Sequence, residues 1–525
     1  MIRFEKYSIN KLKDTYDVIV IGSGISGLCS AALLSLEGKR VLVLEKHFKI
    51  GGYTHTFNRQ NYEWDVGLHY IGSVHKKNSF SRRLFDKISG NNLKWNKMSD
   101  NYDRIIFPDK SYDLVAPKSK FIETMSSYFP GNSSEIESYV DLVGKVNRSM
   151  FKFFGAKSLS GVSELLLYRY LTKEFFKYAD KTTHEALSNI ISSKELIGVL
   201  TGQWGDYGLP PKDSSFFMHC AIAGHYFDGA NYPVGGSRSI PESIAPQILD
   251  NGGDIFMSAG VEKVLINNGR AQGVVMENGD VIKSRYVISS AGVQNTLGKL
   301  LKDYAKIKSY QSNLKNVQPS SGHACLYVGF DKSAEELNIK DTNLWIYPSY
   351  DHDFNTREYL NDESKDFPLL YISFPSAKDP DWESNYGKTA TLEAIIPTSF
   401  NAYSKWFNSK WKKRGDEYKD FKENLSHRII SQIYKHNPHL KDKISFYELS
   451  TPLSTKSMAH YEFGELYGID HTPQRFREKW LKPKTPLKNL FMTGQDITTV
   501  GVPSALASGA LTASVLLRKN ILKKI

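Results

Sequence analysis

The chain has 525 residues, of which 40% are hydrophobic and 24% charged, with a formal net charge of +12. That length and balance exclude a disordered chain or one small domain, and predict two interleaved domains around a substantial core. Three dispersed cysteines, Cys29, Cys220 and Cys325, exclude a disulfide framework and show no metal-ligand spacing, so a reducing compartment and no metal are expected.

The first residues, MIRFEKYSINKLKDTYD, lack the apolar segment of a signal peptide, and no run of about 18 apolar residues follows anywhere. A cytoplasmic location is expected. The positive charge is read either as plain solubility or as peripheral attraction to the inner face of a membrane. No nucleic-acid motif accompanies it, so nucleic acid is not expected as a partner.

Asp17–Ile21 is a short β-branched run that predicts a buried parallel strand. Gly22, Gly24 and Gly27 follow as G-x-G-x-x-G, with Ser23, Ile25 and Ser26 filling the same turn. Gly22 permits the tight turn, Gly24 admits a pyrophosphate to the backbone, and Gly27 lets the next helix pack closely. That helix, Ile25 to Glu37, buries Leu28, Ala31 and Leu34 and presents its N-terminal N–H groups to phosphates. Lys39–Leu44 is a second strand, and Glu45 at its end suits the hydroxyls of an adenosine ribose, beside Lys46. Gly51, Gly52 and Thr54 follow. The stretch resembles the N-terminal FAD motif of the amine oxidase and phytoene desaturase superfamily, whose glycine pair after the ribose acid separates FAD from NAD.

Asp65–Gly72, DVGLHYIG, sets a carboxylate, a histidine and a tyrosine among glycines that allow close backbone approach. His69 in such a turn is either a satisfied structural residue or part of an active site. Residues 76–200 read as mostly helical and irregular. Within them Met150–Tyr178 predicts an amphipathic helix that covers a substrate domain or lies at a membrane interface. Ser214 or Ser215 is expected to cap a helix through Phe216, His219, Ala223 and Tyr226. A helix from Ser239 to Asp250 follows.

Asp254–Ala291 reads as strands joined by Asn-Gly turns at 267–269 and 278–279, a β-meander. Four apolar runs between residues 300 and 455 predict a mixed sheet, and Trp406–Asn437 a charged helical pair. Asn489–Thr493 is a strand, Gly494 a turn, and Gly501–Leu517 a helix of small residues whose N-terminus can face a flavin ring. The terminal RKNILKKI reads as a basic surface tail.

The stretches DVGLHYIG, GDYGLPP (205–211), HCAIAGHYFDGANYPVGGS (219–237), SFPSAKDPDWE (373–383) and NLFMTGQDITTVGVPSALASGA (489–510) resemble the retinol saturase branch of the phytoene desaturase and carotenoid isomerase family. The resemblance spans nearly the full length. It implies an α/β fold, with a Rossmann-like FAD-binding domain (14–75, 233–300, 485–525) interleaved with an α+β substrate domain (76–232, 301–484). It implies FAD held by Gly22, Gly24, Gly27, Glu45, Gly51, Gly52, Val261 and Asp496, with Ala291 and Gly494 nearby and Gly501, Val502 and Pro503 beside the ring. The implied reaction is hydride transfer from flavin N5 to a double bond of a hydrophobic polyene. A desaturase, or an isomerase of polyenes including polyunsaturated fatty acids, would use the same site. A lipid-binding flavoprotein is the non-enzymatic alternative. A conjugated polyene can spread the resulting carbanion charge, so one proton donor is required. His69 and Tyr70 are the candidates, with Tyr226 and His225 behind them. Only one dinucleotide fingerprint is present, so NAD(P)H enters as an external reductant or the electrons come from another donor.

Overall fold

The computed structural model describes residues 4–521; residues 1–3 and the last four residues of the basic tail lie outside that range. Tyr16–Ile21 and Val41–Leu44 pair in parallel, with Val20 opposite Val43. Such uninterrupted β-branched runs need cover on both faces. Val18, Val20, Val41 and Val43 pack under the helices Ile25–Leu36, Ser239–Leu249 and Val502–Leu517. Ile19, Ile21, Leu42 and Leu44 point the other way, towards Val264, Val274, Ile282 and Leu297.

These two strands lie at the centre of an eight-stranded sheet that gathers distant parts of the chain. Asp254–Met257 joins beside Val41–Leu44, and Val281–Ser289 beside Tyr16–Ile21, both in parallel. The first part of Val281–Ser289 carries the antiparallel meander Arg270–Met276 and Val261–Asn267, and its last part carries Leu490–Met492 in parallel. The first and last helices of this sheet also touch, where the Ser30 hydroxyl donates to the Gly509 carbonyl at 3.2 Å.

A second, seven-stranded mixed sheet runs in the order Phe446–Ser450, Gly322–Phe330, Ala390–Thr398, Leu370–Ser373, Asn343–Ile346, Asn101–Ile106, Ser111–Val115. The helix Asp416–His436 covers one face with Leu425, Ile429 and Ile433. The other face turns Trp345, Tyr371 and Ile395 towards a cavity. The four predicted runs are all in this sheet, but Asn101–Ile106 and Ser111–Val115 fall in a region expected to be helical and irregular. Asp103 and Asp113 gave them the polarity of a loop; Asn101–Ile106 pairs with Asn343–Ile346, and Ser111–Val115 pairs with Asn101–Ile106 in turn. Trp406–Asn437 holds one α-helix, not two, because Gly415 interrupts it and Phe400–Trp406 winds as a 3₁₀ turn.

Met150–Tyr178 is likewise not one helix. Ser133–Ala156 ends there, and Val162–Ala179 begins after Gly161, so the two pack side by side. Ser215 does hold the N-cap position of Phe216–Tyr226, yet its hydroxyl donates to the Ala179 carbonyl at 2.8 Å, and Ser214 bonds Thr183 at 2.8 Å. Both serines stitch helices together instead of capping one.

Candidate active site

A cavity of about 1070 Å³ opens along the end of the parallel strands. Its lining includes Gly22, Gly24, Ile25, Ser26, Glu45, Lys46, Gly51, Gly52, Thr54, Val261, Ala291, Gly494, Asp496, Gly501 and Val502. Residues from both ends of the chain therefore face one space. Two glycines show why side chains are excluded there. A Cβ on Gly27 would lie 2.3 Å from the Gly22 carbonyl, and a Cβ on Gly52 would lie 2.9 Å from the Gly24 Cα. The first fixes the helix on the turn. The second brings the 51–54 loop onto the same turn, where the Gly51 N–H donates to the Ser23 carbonyl and hydroxyl at 3.2 and 3.1 Å.

Ser23 and Gly27 do not line this cavity; they build its wall from behind. Ser23 is fully buried, and its N–H and hydroxyl donate to Glu45 Oε2 at 2.7 and 2.6 Å. The His47 N–H donates to Glu45 Oε1 at 2.7 Å. The carboxylate is thus oriented at the strand end while its edge faces the cavity. Lys46 reaches outward and pairs with Glu277 at 2.6 Å. The Ser26 and Ser290 hydroxyls, 2.9 Å apart, sit at the helix N-terminus.

At the far end Asp496 has a second duty that sequence reasoning did not foresee. Its two oxygens accept from the backbone N–H groups of Val293 (2.8 Å) and Ile469 (3.1 Å), so it pins two loops around the cavity. Arg475 fastens the same loop by donating to the carbonyls of Ile469, Gln495 and Thr498. Gly501 and Val502 open the last helix, and Pro503 faces a second cavity. A long trough with a glycine floor, an oriented carboxylate and the N-termini of the helices Ile25–Leu36 and Val502–Leu517 fits a flavin dinucleotide.

The second cavity, of about 750 Å³, meets the first at Val66, Gly67, His323, Leu466, Tyr467 and Val500–Val502. From there it runs between Trp204, Trp345, Leu369 and Tyr371 to Met150, Phe151 and Phe154. His69, Tyr70 and Tyr226 all line it. Tyr70 and Tyr226 stack with ring centroids 4.3 Å apart. His225 lines it as well, and its Nε2 accepts the Gly72 N–H at 2.7 Å, which makes it a clamp on the 69–72 turn.

Behind His69 lies a buried polar network whose other members the sequence stretches contained without a role. His69 Nδ1 is 2.6 Å from Glu393 Oε2, and Glu393 Oε1 accepts the Asp65 N–H at 2.7 Å. Asp65 in turn accepts from the Tyr232 hydroxyl and the Ser237 N–H. Lys378 donates to the His69 carbonyl, Asn343 Oδ1 and Ser373 Oγ at 3.0, 2.5 and 2.7 Å, which uses all three of its hydrogens. Burial dominates the titration of each group. It pushes Glu393 up to about 8, against the pull of Lys378. Burial, with Glu393 beside it, pushes Asp65 up to about 7. It pushes Lys378 down to about 8 and the His69 imidazolium down to about 4. One clue to Glu393 was available: an acid inside the apolar strand ATLEAIIPT.

Residues 25–414 match the family described as flavin containing amine oxidoreductase. The chain is 31% identical to the all-trans-retinol 13,14-reductase of Danio rerio, over 98% of this chain and 88% of that protein. It is 25% identical to the chloroplastic prolycopene isomerase of Daucus carota, over 83% of this chain and 69% of that one. Among solved structures, an oxidoreductase from Methanosarcina mazei superposes with a TM-score of 0.62 at 16% identity, over 96% of this chain and 100% of that one. The glycine-floored trough and these likenesses agree: the chain belongs to the flavin-containing amine oxidoreductase family, in the branch that holds the all-trans-retinol 13,14-reductases.

Proposed function

We propose that the protein is an FAD-dependent oxidoreductase that saturates one carbon–carbon double bond of a hydrophobic, retinoid- or carotenoid-like polyene. The observation that carries this reading is the aromatic-lined second cavity, which meets the flavin trough at Val500–Val502. FAD, when bound, supplies a hydride at its N5. The chain's own residues do the rest. The turn at residues 22–27, Glu45, Gly51, Gly52, Thr54, Val261, Ala291 and Gly494 would hold the dinucleotide, with Asp496 keeping its loops in place. Gly501, Val502 and Pro503 would lie beside the ring. Residues 14–75, 233–300 and 485–525 would then serve the flavin, and 76–232 and 301–484 the polyene. Trp345, Tyr371 and Tyr226 would flatten the polyene and exclude water.

The apolar cavity reaches the surface at a greasy face. Phe151, Val162, Leu165, Leu166 and Tyr170 are 61%, 73%, 83%, 69% and 77% exposed, beside exposed Arg169 and Lys173. Apolar side chains flanked by cations suit an anionic lipid surface, and the cavity's Met150–Phe154 end adjoins them. No helix among the described residues is long and apolar enough to cross a membrane, so the contact we propose is peripheral. The reductant is external to the chain, with NAD(P)H a candidate.

The test is anaerobic. Dithionite-reduced holoprotein is mixed in turn with all-trans-retinol, a carotenoid and a polyunsaturated fatty acid, and flavin reoxidation is followed together with product mass. The expected result is reoxidation with a gain of two hydrogens. Unchanged mass with a new retention time would replace the reading with isomerisation, which the likeness to prolycopene isomerase favours as the second choice. Reduction of oxidised flavin by a saturated substrate would mark a desaturase.

A further inference from the structure

The Tyr70 hydroxyl lies between two carboxyl groups, 3.0 Å from Asp103 Oδ2 and 3.1 Å from Asp206 Oδ2. A phenol has one hydrogen and can donate it to one of them only. With both acids ionised, one carboxylate oxygen would face the phenol oxygen with no hydrogen between them, beside buried phenols and with no cation among the described residues paired to either acid. The trio therefore holds an additional proton, and the surrounding donors decide where it resides.

Asp103 is fully buried and well supplied. Asn343 Nδ2 donates to its Oδ1 at 2.9 Å, and Gln203 Nε2 to its Oδ2 at 2.7 Å, besides Tyr70. Three donors favour the carboxylate form. Asp206 has no partner but Tyr70 among the described residues, and no cation lies within ion-pair distance of it. The titratable groups around it are Asp103 and the buried phenols Tyr70, Tyr207, Tyr226, Tyr347, Tyr371 and Tyr467. The nearest cation of the network is Lys378, 5.7 Å from the centre of the Tyr70 ring and bonded elsewhere. Burial and the Asp103 charge raise Asp206 well above the ordinary carboxyl range. Unlike Asp103, it lines the polyene cavity, next to Tyr226 and Tyr371.

We propose that Asp206 is the proton donor of the reaction: its carboxyl O–H faces the polyene cavity and hydrogen-bonds back to Tyr70, whose own hydrogen goes to ionised Asp103. The proposal rests on the reductase reading above. Its balance is simple. Hydride from the reduced flavin adds to one carbon of the double bond, the O–H bond of Asp206 breaks, and its proton adds to the carbanion carbon. Asp206 is left as a carboxylate. Tyr70 then turns its hydrogen from Asp103 to Asp206, and water restores the proton when the product leaves. His69 becomes a positioning residue that anchors the turn carrying Tyr70, through Glu393.

Two measurements on the FAD-loaded protein decide this. The first is infrared spectroscopy without substrate. In the wild-type-minus-variant difference spectrum, where the carbonyl bands of Glu393 and Asp65 cancel, Asp206→Asn should remove the band of a protonated, buried carboxyl and Asp103→Asn should keep it. The second is single-turnover reduction of a polyene. Asp206→Asn should retain its flavin and lose about 10²- to 10⁴-fold in rate, the range of general-acid removal. Asp206→Glu should recover part of that loss, which a merely structural aspartate would not show. The proposal is overturned if the band survives in Asp206→Asn, or if that variant slows by less than about threefold. A wild-type protein that reduces no polyene would overturn the reductase reading, and the donor role with it. The failures are distinguishable, because only the former leaves the wild type active.

Discussion

Glu393 shows what a buried acid does to stability as well as to chemistry. Its native carboxyl is raised to about 8 by burial, above its unfolded value near the ordinary 4.5. The folded state therefore binds the proton more tightly than the unfolded chain. The stability linked to it is fully present below the unfolded value and is lost as pH rises through about 8. Asp65, raised to about 7, adds to the same slope, while His69, lowered to about 4, opposes it at the acid end. Glu393→Gln should flatten the fall in thermal midpoint between about pH 5 and pH 8, at the expense of a His69 partner. Thermal scans of both proteins across that range check it; equal slopes would show that Glu393 keeps an ordinary titration in the fold. Such residues are the least legible part of the sequence. Asp65, Asp206 and Lys378 all stood inside stretches marked as distinctive, but only the folded chain sets Lys378 on Asn343 and Tyr70 between two acids.

Among the elements, those specified locally could be read and those specified by distant partners could not. The strand Tyr16–Ile21, its glycine turn and the helix Ile25–Leu36 needed only their own residues. The strand Asn101–Ile106 takes its character from Asn343–Ile346, more than two hundred residues away in the chain, and Ser111–Val115 adds to its other edge. The helix Val162–Ala179 is an intermediate case. Its amphipathic composition was legible, but the break before it was not, and the break is what turns Leu165, Leu166 and Tyr170 outward. Replacing Leu165 and Leu166 by serine removes two exposed side chains and little packing, so the fold should be unaffected. Liposome binding should weaken by about two to four orders of magnitude, since burying each of the two leucines in lipid contributes roughly 1.5–3 kcal/mol. Co-sedimentation with anionic vesicles at low salt measures it. Binding equal to the wild type would show that this face does not meet the lipid.

The flavin trough joins the eight-stranded sheet, the 51–54 loop, the 291–293 and 494–502 loops and the edge of the seven-stranded sheet into one structure. Flavin removal should therefore loosen both halves together. At a free flavin concentration about 100 times the dissociation constant, binding adds about 2.7 kcal/mol to stability if the unfolded chain does not bind it. The expected observation is a single unfolding transition that moves to higher temperature as FAD is titrated. Two transitions, with only one responding, would show that the halves unfold independently. The expected α/β architecture is present in the sheet order itself, where Tyr16–Ile21, Val281–Ser289 and Leu490–Met492, far apart in the chain, are adjacent in space.

That adjacency has a consequence for biosynthesis. The helix that begins at Val502 packs on the helix that begins at Ile25, and the Gly494–Val502 loop walls the trough whose floor is Gly22–Ser26. On the ribosome, the glycine turn emerges first and waits, at about 5–20 residues per second, for tens of seconds until its partner follows. During that interval Val18, Val20 and Leu28 lack the cover of Leu506, Ala510 and Ala513. The nascent chain therefore leaves this part of the sheet without the cover of its last helix until Val502–Leu517 has emerged, and the cofactor trough is walled only then.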